Sequence, residues 1–110
     1  MQMTSPRHTT IHPNDETSVL LSTVWLKEGD LVFLETAMFP VDEYTGETKF
    51  QELARHTTGH TSKMPENAIE LQNAMHDLAT TAYNAWKAKH GSGSSRALAE
   101  TIERVLWLVC

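Results

Sequence analysis

A single cysteine, Cys110, stands among the 110 residues, so no internal disulfide can form, and a reducing, cytoplasmic setting is expected. Long apolar runs are missing as well. The longest stretches, VLL, VWL, LVFL and VLWLVC, fall far short of the ~20 residues that a membrane-spanning helix needs. The N-terminus is polar from Gln2 to Thr10 and has no apolar h-region, so no signal peptide is expected. Cationic clusters are also lacking. Nine Lys and Arg are scattered among fourteen Asp and Glu, for a formal net charge of −5. Duplex binding depends on clustered cations that release counterions from phosphates, so nucleic acid is not an expected partner. The carboxylates are interleaved with Lys and Arg, the pattern of a mildly acidic surface and not of a DNA mimic.

What remains is the composition of an ordinary globular domain, 40% hydrophobic and 21% charged. A chain of this length makes one domain and buries roughly two thirds of its unfolded surface. Residues 1–17, with two prolines and many threonines, read as an N-terminal tail or an edge strand. SVLLSTVWL (18–26) is apolar on both alternate faces, as a central strand is. KEGD (27–30) supplies a hairpin loop and LVFLETAMF (31–39) the antiparallel partner. Pro40 ends that strand, and ETKF (47–50) reads as a short third one. Beyond Pro65 the period changes. Ala68, Leu71, Met75, Leu78, Ala82 and Ala85 recur at steps of three and four, which marks a long amphipathic helix. Glu66 suits its start, and Lys87, Lys89 and His90 suit its end before Gly91. GSGSS (91–95) has the composition of a linker. Residues 96–110 then carry Leu98, Ile102, Val105 and Val109 on one stripe, with Leu106, Trp107 and Leu108 off it. A helix apolar around its last turn packs on its own domain or on a partner chain.

The hexapeptide RHTTIH (7–12) returns as RHTTGH (55–60). Histidines four apart share a metal only on a helix, where their Cβ atoms lie about 5–6 Å apart; on a strand they lie roughly 13 Å apart. The β-branched residues and Pro13 make the first copy extended. The second copy is expected in a short helix after the third strand, with His56 and His60 on one face. A zinc peptidase pattern would place Glu after the first histidine, and here Thr57 stands there. Asp77, His76 and Glu52 are candidate third ligands that no spacing selects. Phosphate-cradling loops and GxSxG elbows are absent. Glu35 shares a strand face with Leu31, Phe33, Ala37 and Phe39. It is expected either as a buried acid or base or as the partner of Lys49, Arg55 or a hydroxyl.

STVWL (22–26), ETAMF (35–39), ETKF (47–50) and Gly59–His60 together resemble a group of short proteins from actinobacteria and their bacteriophages. Those read TVWL, ETMVF, ETRY and a helix containing AGH. The resemblance covers residues 20 to 62. Phe50 stands where Tyr is usual, Lys49 where Arg is, Met38 lies in a changed apolar run, Thr58 replaces Ala, and Pro65 interrupts the helix. It implies a β-meander followed by helix, a phage or mobile-element origin, and Gly59 and His60 as a recurring structural pair. Such a pair would let the backbone approach the sheet closely while His60 bonds to Glu35 or a strand carbonyl.

The fold class expected is α+β: a three-stranded antiparallel meander, then a short helix, a long amphipathic helix and a C-terminal helix. The function expected is protein–protein interaction without catalysis or cofactor, with a host or virion protein or a second copy as partner. Trp86, Leu98, Ile102, Val105, Leu106 and Trp107 are the expected interface. The alternative is a metal-binding or hydrolase-like protein using His56, His60 and Glu35.

Overall fold

Four strands and two helices follow one another in the computed structural model, which describes residues 1–42, 44–49 and 51–109. They are β1 (Arg7–Ile11), β2 (Ser18–Glu28), β3 (Leu31–Val41), β4 (Ala54–Thr61), α1 (Ala68–His90) and α2 (Ser95–Val109). The strands form one antiparallel sheet in the order β1-β2-β3-β4. Both helices lie on one face of it. The architecture is therefore α+β, with four strands and two helices.

The β2–β3 hairpin pairs from Ser18↔Val41 to Glu28↔Leu31, as alternating Val, Leu, Thr and Trp dictate. Val19, Leu21, Thr23 and Trp25 of β2, with Leu34, Thr36 and Met38 of β3, form the buried floor beneath the helices. Residues 1–17 are an edge and not a loose tail. β1 pairs with β2 through Arg7↔Thr23, Thr9↔Leu21 and Ile11↔Val19, and Gln2 bridges to Leu26 further along.

Two expectations are corrected. ETKF does not form a third strand: its Thr48 makes only an isolated bridge to Val41, and Phe50 lies outside the described residues. The segment instead closes a turn in which the Asp42 carboxylate accepts from the Tyr44 and Thr45 amides. The strand beside β3 is the second hexapeptide, in β4, where a short helix was expected. Thr57, Thr58 and Gly59 weaken a helix, and the open edge of β3 offers their backbone a ladder.

Both copies of the hexapeptide are therefore strands, and they form the two outer edges of the sheet. Their faces differ. Arg7, opposite buried Thr23, lies on the helix side and reaches Asp77 of α1 at 2.8 Å. Arg55 points away from the helices, and His56, opposite buried Thr36, points under them. Because side chains alternate along a strand, a one-residue difference in register reverses every one of them.

α1 begins after Pro65 and ends where the Gly91 amide, at φ 74°, donates to the Lys87 carbonyl. Its row Ala68, Gln72, Met75, Ala79, Ala82 and Trp86 lies on the sheet. The GSGSS segment is tied down: the Gly93 amide donates to the Pro13 carbonyl, and Asn14 Nδ2 donates to Gly93 O. A Cβ on Gly93 would stand 2.6 Å from the Trp86 ring, which is why the chain passes there as glycine. α2 returns antiparallel to α1 and buries Leu98, Ala99, Ile102 and Leu106 completely. Each such leucine or isoleucine contributes about 1.5–3 kcal/mol of hydrophobic stabilisation. Among the described residues no helix is long and apolar enough to cross a membrane.

Candidate interaction site between the helices and the sheet

The histidine pair is divided by the backbone. β3 advances two residues from Val32 to Leu34 while β4 advances three, from Thr61 to Thr58, so one residue is inserted as a bulge. Gly59 carries it at φ 72°, a left-handed conformation that favours glycine. Beyond the bulge the faces switch. His56 lies under the helices, 1% exposed, whereas His60 stacks on Phe33 on the open face with ring centroids 5.5 Å apart. The two imidazoles cannot share an ion. The candidate third ligands are engaged elsewhere, Asp77 with Arg7, Glu52 with Arg55 and His76 with two threonines. No group of three or more His, Cys, Asp or Glu among the described residues is placed to hold a metal.

Glu35 and His60 both line a cleft of about 300 Å³ on the open face of the sheet, with Arg55, Thr57 and Glu28. Burial pushes the Glu35 carboxyl up; Arg55 opposes this, and Glu52 and Glu28 reinforce it. The Arg55–Glu35 contact, at 3.6 Å with the guanidinium largely in solvent, is a loose ion pair. Arg55 is one of the partners expected for Glu35. His60, expected to bond to Glu35 or to a strand carbonyl, stacks on Phe33 instead. A carboxyl raised in this way can exchange a proton with a group bound in the cleft.

Two buried histidines carry the polar interior. His76 is held between Thr9 Oγ1 at 2.7 Å and Thr23 Oγ1 at 2.9 Å, and Thr23 continues to Thr36 at 3.1 Å. Gln72 joins the same network, donating to the carbonyls of Ser5 and Thr23 and accepting from Thr4 Oγ1. Burial, reinforced by the Arg7 guanidinium, pushes the His76 imidazole down to about 4. His56 has no hydrogen-bond partner at either ring nitrogen; the Trp107 indole covers it edge-on at 4.8 Å. Burial lowers its pKa too, and Glu103 partly offsets this.

An apolar groove opens at the hairpin end of the molecule. α2 is described over 15 residues, to Val109, against 23 in α1. The groove, of about 520 Å³, lies next to Val109. Leu71, Ala74, Met75 and Leu78 of α1 form its wall, and Trp25 and Leu34 its floor. Gly59 lines it as well, and a Cβ there would stand 3.4 Å from the Trp25 ring. Val109 closes the near end.

The last turn of α2 stands beside this groove and is turned outward: Trp107 is 62% exposed, Leu108 81% and Val109 66%. Of the six positions expected at an interface, Trp86, Leu98, Ile102 and Leu106 are instead buried within this chain, and Val105 packs partly against the same core. The reason is that α1, α2 and the sheet close one core between them. Only Trp107 of the six remains largely exposed. Sequence reasoning placed Leu71 and Leu78 on the stripe of the long helix; in the structure both line the groove, Leu71 exposed and Leu78 partly buried. Gln72 was missed too, although a glutamine in the row of Ala68, Met75 and Ala79 is a signal for a buried amide. Comparisons of the chain with protein-family models, with curated proteins and with solved structures give no match.

Proposed function

We propose that this chain is a non-catalytic protein–protein interaction module of phage or mobile-element origin, and that it docks its partner at the apolar groove next to Val109. The observation that carries this reading is the pairing of an open apolar groove with an outward-facing Trp107–Leu108–Val109 turn beside it. Water-exposed apolar surface gathered in one place is costly for a monomer and is characteristic of docking sites. The groove has the form that receives an apolar helix face. It is lined almost wholly by apolar side chains, so a charged ligand inside it would be left without a partner.

Site-specific photo-crosslinking tests this. A benzophenone side chain at position 108 should cross-link to a polypeptide, whether foreign or a second copy, in the cells where the protein acts. The same group at position 44, in the turn at the opposite end, should not. Equal labelling from both positions, or none from 108, would contradict a docking role for this end.

A further inference from the structure

We infer that His56 and Trp107 form an acid-sensitive latch between β4 and α2: when the imidazole takes up a proton, the Trp107 indole swings off it and the Glu103 carboxylate becomes its partner. The latch stands without the docking reading. Only its consequence for docking, a change in how Trp107 is presented, rests on that reading.

The geometry is that of a neutral ring shut in by one side chain. His56 is 1% exposed, and neither of its ring nitrogens has a hydrogen-bond partner. A neutral imidazole carries one donor and one acceptor, and leaving both unpaired in a core is costly. His76 is buried as deeply, yet threonine hydroxyls hold both of its nitrogens. What covers His56 is the edge of Trp107, with ring centroids 4.8 Å apart and the planes at 85°. That contact packs the ring without bonding it. Trp107 is itself 62% exposed, so it can turn about its own side-chain torsions while the core beneath α2 stays closed.

The charged surroundings supply the alternative partner. β4 packs against β3 and α2. From β3 the residue opposite His56 is Thr36, which is neutral, with Leu34 and Met38 on either side of it along the same face. From α2, Glu103 is the charged group that acts on the ring, and it favours the protonated form. Glu103 lies four residues before Trp107, so the two stand one above the other on the helix. With Glu100 and Arg104 they line one shallow cleft of about 310 Å³. On β4 itself, Arg55 and Thr57 line the cleft on the opposite face of the sheet.

Burial outweighs Glu103 and keeps the covered ring uncharged. Once the indole has moved, water and the carboxylate both reach the ring, and the charge is no longer isolated. The covered state therefore resists the proton and the uncovered state accepts it, so acid shifts the population towards the uncovered one.

NMR titration of the full chain, labelled in its histidine and tryptophan rings, tests the latch between about pH 7.5 and about pH 4.5. The Trp107 indole signals should move with the same midpoint as the His56 ring, below 6.5, while those of Trp25 and Trp86 should not follow that midpoint. Glu103→Gln should lower the midpoint further, because the charged form loses its partner. Trp107→Ala should raise it towards the ordinary histidine value, because the ring is already uncovered. Both changes are made on α2 outside its fully buried row, so both variants should fold. In His56→Leu the Trp107 response should vanish while the His76 titration persists.

Trp107 signals that stay fixed through the His56 titration overturn the inference, as does a Trp107 response that survives in His56→Leu. A midpoint indifferent to Glu103→Gln overturns the exchange of partners. Signals from both helices that collapse together at the His56 midpoint also overturn it, since they report unfolding of the whole chain and not a local latch.

Discussion

Protonating His76 would place a charge between two threonine hydroxyls beneath α1. The unfolded chain binds that proton at the ordinary histidine value near 6.5, while the folded chain resists it until about 4. Between these values the unfolded state holds more protons, so stability falls as pH falls. The loss should amount to roughly 3 kcal/mol across that window, and the lowered pKa of His56 acts in the same direction. Urea unfolding at pH 7 and near pH 4.5 should show it, and His76→Leu should flatten the dependence while lowering stability at neutral pH. Gly59 makes a second case. Alanine there would have to hold φ 72° with its Cβ 3.4 Å from Trp25, at a cost of about 1–2 kcal/mol. Thermal unfolding should register this loss. His76 does not announce its role in the sequence, where it reads as a candidate ligand; Gly59 reads as a weak point in a helix, although the family resemblance implied a close backbone approach there.

At the scale of elements, α2 separates inward from outward positions over three residues. Leu106 is fully buried and Leu108 is 81% exposed. Leu106→Ala should cost about 2–5 kcal/mol through lost transfer energy and the cavity left behind. Leu108→Ala should alter monomer stability by less than about 0.5 kcal/mol; denaturant titration at a concentration low enough to keep the chain monomeric would compare them. The two helices and the β2–β3 hairpin were legible because each has a strong period, 3.6 for the Ala68–Leu71–Met75 row and alternation for SVLLSTVWL. β4 was not. ARHTTGHT has few apolar residues and a glycine in its middle, and its strand character comes from the unpaired edge of β3, which no local pattern records. The repeat misled in the same way. It suggested one motif in two different backbone shapes, whereas the structure uses one shape in two registers.

For the molecule as a whole, the proposed docking end is apolar while the chain carries a net charge of −5. Were a second copy to dock there, association driven by apolar burial should strengthen as salt screens the repulsion between copies. Raising ionic strength from about 0.05 M to about 0.5 M shortens the Debye length from over 10 Å to below 5 Å, and sedimentation across that range should show a tighter dimer. Weakening with salt would instead indicate a contact built on ion pairs. The candidate site was legible only in part. The apolar C-terminal turn was plain in LWLV, and Trp107 was one of six residues expected at an interface and is the one of them that is largely exposed; the groove beside it is formed by residues from β2, β3 and α1 that only the folded chain brings together.

The sequence alone determined the α+β class, with a central hairpin and two amphipathic helices, and it holds no apolar run long enough for a spanning helix. These follow from composition and periodicity, which act over a few residues. Tertiary structure decided which faces those elements show. It set the two copies of RHTT on opposite sides of one sheet, split His56 from His60 across a bulge, and buried Leu98, Ile102 and Leu106 while leaving the next turn bare. Register, bulges and the packing of helices depend on contacts between residues far apart in the chain, and those contacts exist only once the core has closed.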